Sequence, residues 1–176
     1  MALAGNFKAR SRGLFFRKVL RQVNWRTGYT RTMVNRILIV CVGNICRSPT
    51  AEVMLRDRLR GKDTLVESAG LAALVGQPID STAESVLARN GLTALDHVAR
   101  QLSQAMLSSA DMVLAMDNRH VSAIQALAPQ VRGKTFLLGR WQDDRPIPDP
   151  YGRDLTVFER TFGMIADAVD AWTTRL

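Results

Sequence analysis

The chain is most constrained by residues 37 to 51, where Ile37-Leu38-Ile39-Val40-Cys41-Val42 runs into Gly43-Asn44-Ile45-Cys46-Arg47-Ser48-Pro49-Thr50-Ala51. An unbroken β-branched and aliphatic run is what a strand covered on both faces requires. Ser48-Pro49 then reads as a helix start, a hydroxyl N-cap followed by proline at the first helical position. The stretch therefore predicts strand, tight loop, helix.

A loop that opens with cysteine, closes with arginine and holds a glycine and an asparagine can curl its backbone N–H groups inward, with the helix dipole behind them. That is an anion cradle. Arg47 at its rim offers a planar fork for two oxygens of a phosphoryl group, and Cys41 at its floor lies in a positive field that favours the nucleophilic thiolate. Taken singly, Cys41 is a small buried residue and Arg47 a surface charge. Cysteine, five residues, arginine and serine between a buried strand and a helix form a far more specific pattern. It differs from the nucleotide-binding loop that ends in Gly-Lys-Ser/Thr, because no lysine precedes a hydroxyl residue here.

A length of 176 residues suits one domain with a substantial core, and no apolar run exceeds the six residues from Ile37 to Val42. A transmembrane helix needs about 20. The net charge of +8 suggests nucleic acid until it is located: residues 1 to 36 hold nine of the 24 basic residues and none of the 16 acidic ones. Residues 37 to 176 are close to neutral, so nucleic acid is not an expected partner. Two cysteines and two histidines build neither a disulfide framework nor a zinc site, and neither metal nor cofactor is expected. A reducing compartment, the cytoplasm, follows from the free thiols.

Residues 1 to 32 read as a basic extension without order of its own. Leu14, Phe15, Phe16, Val19, Leu20 and Val23 can form one apolar stripe of a basic helix able to touch anionic surfaces. A targeting segment is a second reading, and a translation start placed ahead of Met33 the favoured third. No secretory h-region is present. Residues 33 to 176 form the expected catalytic domain.

Beyond the loop, Ala51, Met54, Leu55 and Leu59 recur at helical spacing with arginines between them. Thr64 to Ser68 reads as an edge strand and Ser68-Ala69-Gly70 as a turn. Ala83, Val86, Leu87 and Asn90 mark a helix ended by Gly91. Asp111 to Met116 is a second buried strand, His120 to Ala128 a helix, and Thr135 to Leu138 a short strand. A loop from Gly139 to Arg153 precedes a long helix bearing Leu155, Phe158, Phe162, Ile165, Val169 and Trp172. Alternating strands and helices predict an α/β fold: a central four-stranded parallel sheet with helices on both faces and a phosphate-binding loop after the first strand.

Displacing an alkoxide or phenolate from phosphorus needs a proton donor. Asp149, within Pro146-Ile147-Pro148-Asp149-Pro150-Tyr151-Gly152, is the candidate: flanking prolines stiffen its loop, and Tyr151 can wall a pocket for a flat ring.

Cys41-Val42-Gly43-Asn44-Ile45-Cys46-Arg47-Ser48-Pro49 and Asp149-Pro150-Tyr151 together resemble the signature and acid loop of low-molecular-weight protein tyrosine phosphatases, over about residue 35 to the C-terminus. The resemblance implies that Cys41 attacks phosphorus, Arg47 holds the phosphoryl oxygens and Asp149 protonates the tyrosyl oxygen. It implies substrate contacts from Val42, Gly43, Asn44, Ile45, Cys46, Ser48 and Tyr151, and a hydrogen bond from Ser48 to the departing thiolate. Ser68 and His97 are implied to support Asn44, the latter within His97-Val98-Ala99-Arg100-Gln101. Asp117 reads equally as a helix cap or a site residue, and Cys46 as a packing residue or a reversible disulfide partner of Cys41.

Arsenate reductases and protein arginine phosphatases share this fold and loop. The former need further cysteines downstream, and none follows Cys46; the latter resemble this loop with threonine where Ile45 stands. Phosphotyrosine proteins are thus the expected substrates. Ser68-Ala69-Gly70-Leu71 lacks the tryptophan of animal members and resembles bacterial ones that oppose tyrosine autokinases of exopolysaccharide export. A non-catalytic phosphate-binding module is the reading of a different class, and it has no use for both Cys41 and Asp149.

Overall fold

The computed structural model describes residues Val34–Leu176. The expectations for residues 1 to 32 lie outside the described residues. Four strands, β1 (Arg36–Cys41), β2 (Leu65–Gly70), β3 (Met112–Ala115) and β4 (Thr135–Leu137), pair in parallel in the order β2-β1-β3-β4. Parallel neighbours need crossovers, supplied by α1 (Arg47–Arg58), α2 (Ser81–Arg89), α3 (Gln104–Ser109) and α4 (Asn118–Leu127), with α5 (Leu155–Thr173) closing the chain. This is the expected four-stranded parallel sheet.

Successive strand side chains face opposite ways, so the unbroken apolar run of β1 serves two cores. Ile37, Ile39 and Cys41 pack with Met54 and Leu55 of α1 and with Ile165, Val169 and Trp172 of α5. Leu38 and Val40 pack with Leu107 of α3 and Ile124 of α4. A third cluster joins Ile45 and Cys46 of the loop after β1 to Ala83, Val86 and Leu87 of α2 and Phe158 of α5. The loop is thereby held by its own buried side chains.

The strand order reverses between β1 and β3, and ligand sites of open α/β sheets lie beyond the strand ends at such a switch point. Cys41 ends β1, and the carbonyl of Met116, just past β3, accepts the Ile147 N–H at 2.8 Å. The acid loop is thus tied over the same end of the sheet as the cysteine loop.

Local differences from the sequence reading have physical causes. Helix α1 begins at Arg47 with Cys46 as N-cap and no side-chain cap bond, so Ser48 and Pro49 lie inside the first turn. The Ser48 hydroxyl is bonded elsewhere, as described below. Ser68-Ala69-Gly70 is the end of β2 rather than a turn, paired with Ile39, Val40 and Cys41. Gly70 is required by crowding, since a Cβ there would lie 2.4 Å from the Val42 carbonyl oxygen. Helix α4 starts at Asn118 because Asp117 caps it, its Oδ1 accepting from Arg119 N at 2.8 Å and His120 N at 3.0 Å. Leu155, expected on the buried side of α5, is exposed, whereas Phe158, Ile165, Val169 and Trp172 are buried. No helix of the described residues is long and apolar enough to cross a membrane.

Candidate active site

The loop from Cys41 to Ser48 wraps around one sulfur. The Cys41 side chain is buried, with Ser48 Oγ 2.9 Å from Sγ and the Asn44 backbone N–H donating to the sulfur at 3.2 Å. Asn44 takes φ 57°, a left-handed conformation that asparagine tolerates better than most residues. Its neighbours over-determine that bend. Asn44 Nδ2 donates to Ser48 Oγ at 2.9 Å and Ser68 Oγ at 2.8 Å, while Oδ1 accepts from Arg100 N at 2.9 Å. His97 Nε2 lies 2.6 Å from the Asn44 carbonyl oxygen, which only accepts, so that nitrogen carries the proton. Among the described residues no protein hydrogen bond engages the amides of Gly43, Ile45 or Cys46.

Arg47 opens α1 with only 4% of its side chain exposed. Its guanidinium donates to the Ile147 carbonyl at 3.2 Å and forms an ion pair with Asp149 Oδ2. Asp149 in turn is about half exposed, and its Oδ1 accepts from Tyr151 N at 3.2 Å. A cavity of about 200 Å³ is lined by Cys41, the loop residues Val42, Gly43, Ile45 and Cys46, Arg47, Asp149 and Tyr151, with Ala72 and Leu74, whose N–H groups bond the Val42 and Gly43 carbonyls. Asn44 and Ser48 sit behind this lining, and Ser68 and His97 behind them.

Cys46 is a free thiol like Cys41. Burial pushes its pKa well above the ordinary thiol range, and the carboxylate of Asp80 adds to the effect. Cys46 therefore stays protonated while it packs against α2. Burial likewise lowers the pKa of His120, against the opposing pull of Asp117, whose Oδ2 lies 3.6 Å from His120 Nε2. Among the described residues no group of three or more His, Cys, Asp or Glu is placed to hold a metal ion.

Several contributors escaped the sequence reading. Ala72 and Leu74 line the cavity from the stretch after β2, which carries no polar signature. The Ile147 carbonyl is backbone and has no signature at all. Arg100 donates its backbone N–H to Asn44 and its Nε to the Ser68 carbonyl at 2.8 Å. Glu52 accepts from Ser68 Oγ at 2.6 Å. Its position one turn beyond Ser48, on the same face of α1, was the available clue.

A thiol at the floor of an amide-lined loop, an arginine at its rim and a carboxylic acid across the cavity define a phosphate-binding loop that carries its own nucleophile. Residues 36–176 match the family model described as low molecular weight phosphotyrosine protein phosphatase, and the chain belongs to that family. It is 45% identical over 142 residues to the low molecular weight protein-tyrosine-phosphatase Etp of Escherichia coli K12, covering 81% of this chain and 95% of Etp. Vibrio vulnificus Wzb in complex with benzylphosphonate superposes with a TM-score of 0.79 at 40% identity, over 82% of this chain and 100% of Wzb. The YwlE arginine phosphatase of Geobacillus stearothermophilus is also similar, with a TM-score of 0.76 at 32% identity over 80% of this chain and 92% of YwlE.

Proposed function

We propose that this protein hydrolyses phosphotyrosine in proteins through a phosphocysteine intermediate. The observation that carries the reading is the convergence on one cavity of Cys41 and Arg47, from the loop and helix after β1, with Asp149, from the loop tied to Met116 just past β3. The Cys41 thiolate attacks phosphorus in line, forming the S–P bond as the P–O bond to the tyrosyl ring breaks. Asp149 gives its proton to the departing oxygen, while Arg47 and the loop amides hold the equatorial oxygens. A water then attacks phosphorus, the Asp149 carboxylate accepts a proton from that water, and the S–P electron pair returns to sulfur. Val42, Gly43, Asn44, Ile45, Cys46 and Ser48 form the binding loop, and Tyr151 flanks the substrate ring. Ser68 and His97 hold Asn44.

Phosphotyrosine is favoured over phosphoarginine by the apolar wall of Ile45 and Leu74 in the cavity, by Tyr151, and by the tyrosine-phosphatase naming of the more similar relatives. Hydrolysis of para-nitrophenyl phosphate by the purified protein, abolished in Cys41→Ser, is the expected result. Turnover retained by the serine variant removes Cys41 as nucleophile. Phosphotyrosine peptides hydrolysed more slowly than phosphoarginine would reverse the substrate class.

The physiological substrate is proposed to be a bacterial tyrosine autokinase of exopolysaccharide export, in the cytoplasm where Cys41 stays reduced. This rests on the resemblance of Ser68-Ala69-Gly70-Leu71, at the end of β2, to bacterial members. Dephosphorylation of such a phosphorylated kinase at rates no better than an unrelated phosphotyrosine peptide would remove that assignment. We assign the phosphatase domain to residues 33 to 176; the family match over residues 36–176 supports that assignment.

A further inference from the structure

Behind the phosphate loop runs a chain of hydrogen bonds whose direction can be read atom by atom. Ser68 Oγ lies 2.6 Å from Glu52 Oε2, and a carboxylate only accepts, so the Ser68 proton points at Glu52. That distance belongs to charge-assisted O–H···O⁻ bonds, the stronger class. With its proton committed outward, Ser68 turns a lone pair to Asn44 Nδ2 at 2.8 Å. The second Asn44 proton goes to Ser48 Oγ at 2.9 Å, and the amide cannot flip because its Oδ1 accepts from Arg100 N. Ser48 Oγ, already accepting from Asn44, lies 2.9 Å from Cys41 Sγ, and its proton points at that sulfur whenever Cys41 is the thiolate, which only accepts.

We propose that Glu52 is a positioning residue for the nucleophile: by accepting the Ser68 hydrogen bond, it orients the hydrogen bonds that lead back to the Cys41 sulfur. Its side chain is only 13% exposed and is paired with Arg56, so it holds one geometry. Its outer edge faces a polar groove of about 380 Å³, shared with Glu67, His97 and Arg100 and separate from the Cys41 cavity. Ser68 is 1% exposed. Ser68 lines the same groove, so without Glu52 its hydroxyl keeps only water in place of a charged acceptor and no longer holds one direction against Asn44. Asn44 then loses one of the restraints on its left-handed bend, and Ser48 loses its orientation.

The consequence falls on one chemical step. When water cleaves the phosphocysteine, the S–P electron pair returns to Cys41, and the Ser48 proton stabilises that charge as it forms. Loss of orientation therefore slows breakdown of the intermediate more than its formation. This inference rests on the phosphatase reading given above.

The test compares Glu52→Ala, Glu52→Gln and wild type on para-nitrophenyl phosphate, with folding checked by circular dichroism. Glu52→Ala is expected to lose about tenfold in kcat, with KM changed less than about twofold and a pre-steady-state burst of nitrophenol larger than that of wild type. Glu52→Gln keeps an acceptor oxygen for Ser68 and recovers to within about threefold of wild type. Should Glu52→Ala fail to fold, Ser68→Ala cuts the same chain and is expected to give the same burst. A folded Glu52→Ala with wild-type kcat overturns the proposal, as does Glu52→Gln falling as far as Glu52→Ala. A second readout does not depend on turnover: the Asn44 side-chain amide protons exchange with solvent at least about tenfold faster in Glu52→Ala. Unchanged exchange overturns the orientation even where the wild type shows no phosphatase activity, and that lack of activity would count against the phosphatase reading alone.

Discussion

A serine ahead of a proline ordinarily caps the helix that follows, yet Ser48 lies in the first turn of α1 with its hydroxyl on the Cys41 sulfur. A side-chain cap would have occupied the backbone N–H groups that the phosphate loop needs. Residue-scale predictions follow from such specific bonds. Arg47→Lys keeps the charge but loses the planar fork, and kcat/KM should fall about 100-fold or more. Asp149→Ala should lose far more activity on phosphotyrosine peptides than on para-nitrophenyl phosphate, whose leaving group departs without a proton; equal losses would remove Asp149 as the acid. His120 makes a prediction about pH. Its folded pKa lies below the ordinary 6.5 because it is buried, so the unfolded chain takes up a proton first as pH falls. Stability is therefore lost below the unfolded value, down to the lowered folded one. The fall in Tm between about pH 7 and about pH 5 should be smaller in His120→Gln, measured by thermal melts at each pH.

At the scale of elements, the buried strands were legible because β1 and β3 are covered on both faces and must be apolar throughout. Helices α1, α2 and α5 were legible from their period. Helix α3 was not, since its six residues bury only Leu107. The end of β2 was misread because glycine punctuates turns more often than it permits close approach. Its role here can be tested. In Gly70→Ala the new Cβ meets the Val42 carbonyl oxygen at 2.4 Å. Backbone must move on both sides, so the variant should be destabilised by about 1–3 kcal/mol in urea unfolding, with reduced turnover because Val42 belongs to the phosphate loop. A variant of wild-type stability would mean that the two segments separate freely.

Over the molecule as a whole, two apolar cores on opposite faces of one sheet hold the strand ends in place, and the site is built from segments about a hundred residues apart. The matched family region begins at Arg36. Deletion of residues 1 to 32 should accordingly leave kcat and KM on para-nitrophenyl phosphate within about twofold of the full chain, and a large loss would assign that extension to the enzyme. The sequence by itself determined the parts with a distinctive local chemistry: the strand-loop-helix around Cys41 and Arg47, the stiff Asp149 loop, and the alternation of strands and helices. Local pattern suffices there because backbone propensity, burial and reactivity are set by adjacent residues. Only the tertiary structure decided that Ser48 does not cap the helix, that Leu74 walls the cavity, and that Glu52 reaches Cys41 through Ser68, Asn44 and Ser48. Those relations depend on which side chains of distant segments meet across the sheet end, and a hydrogen bond acquires its direction only when every partner along it is in place.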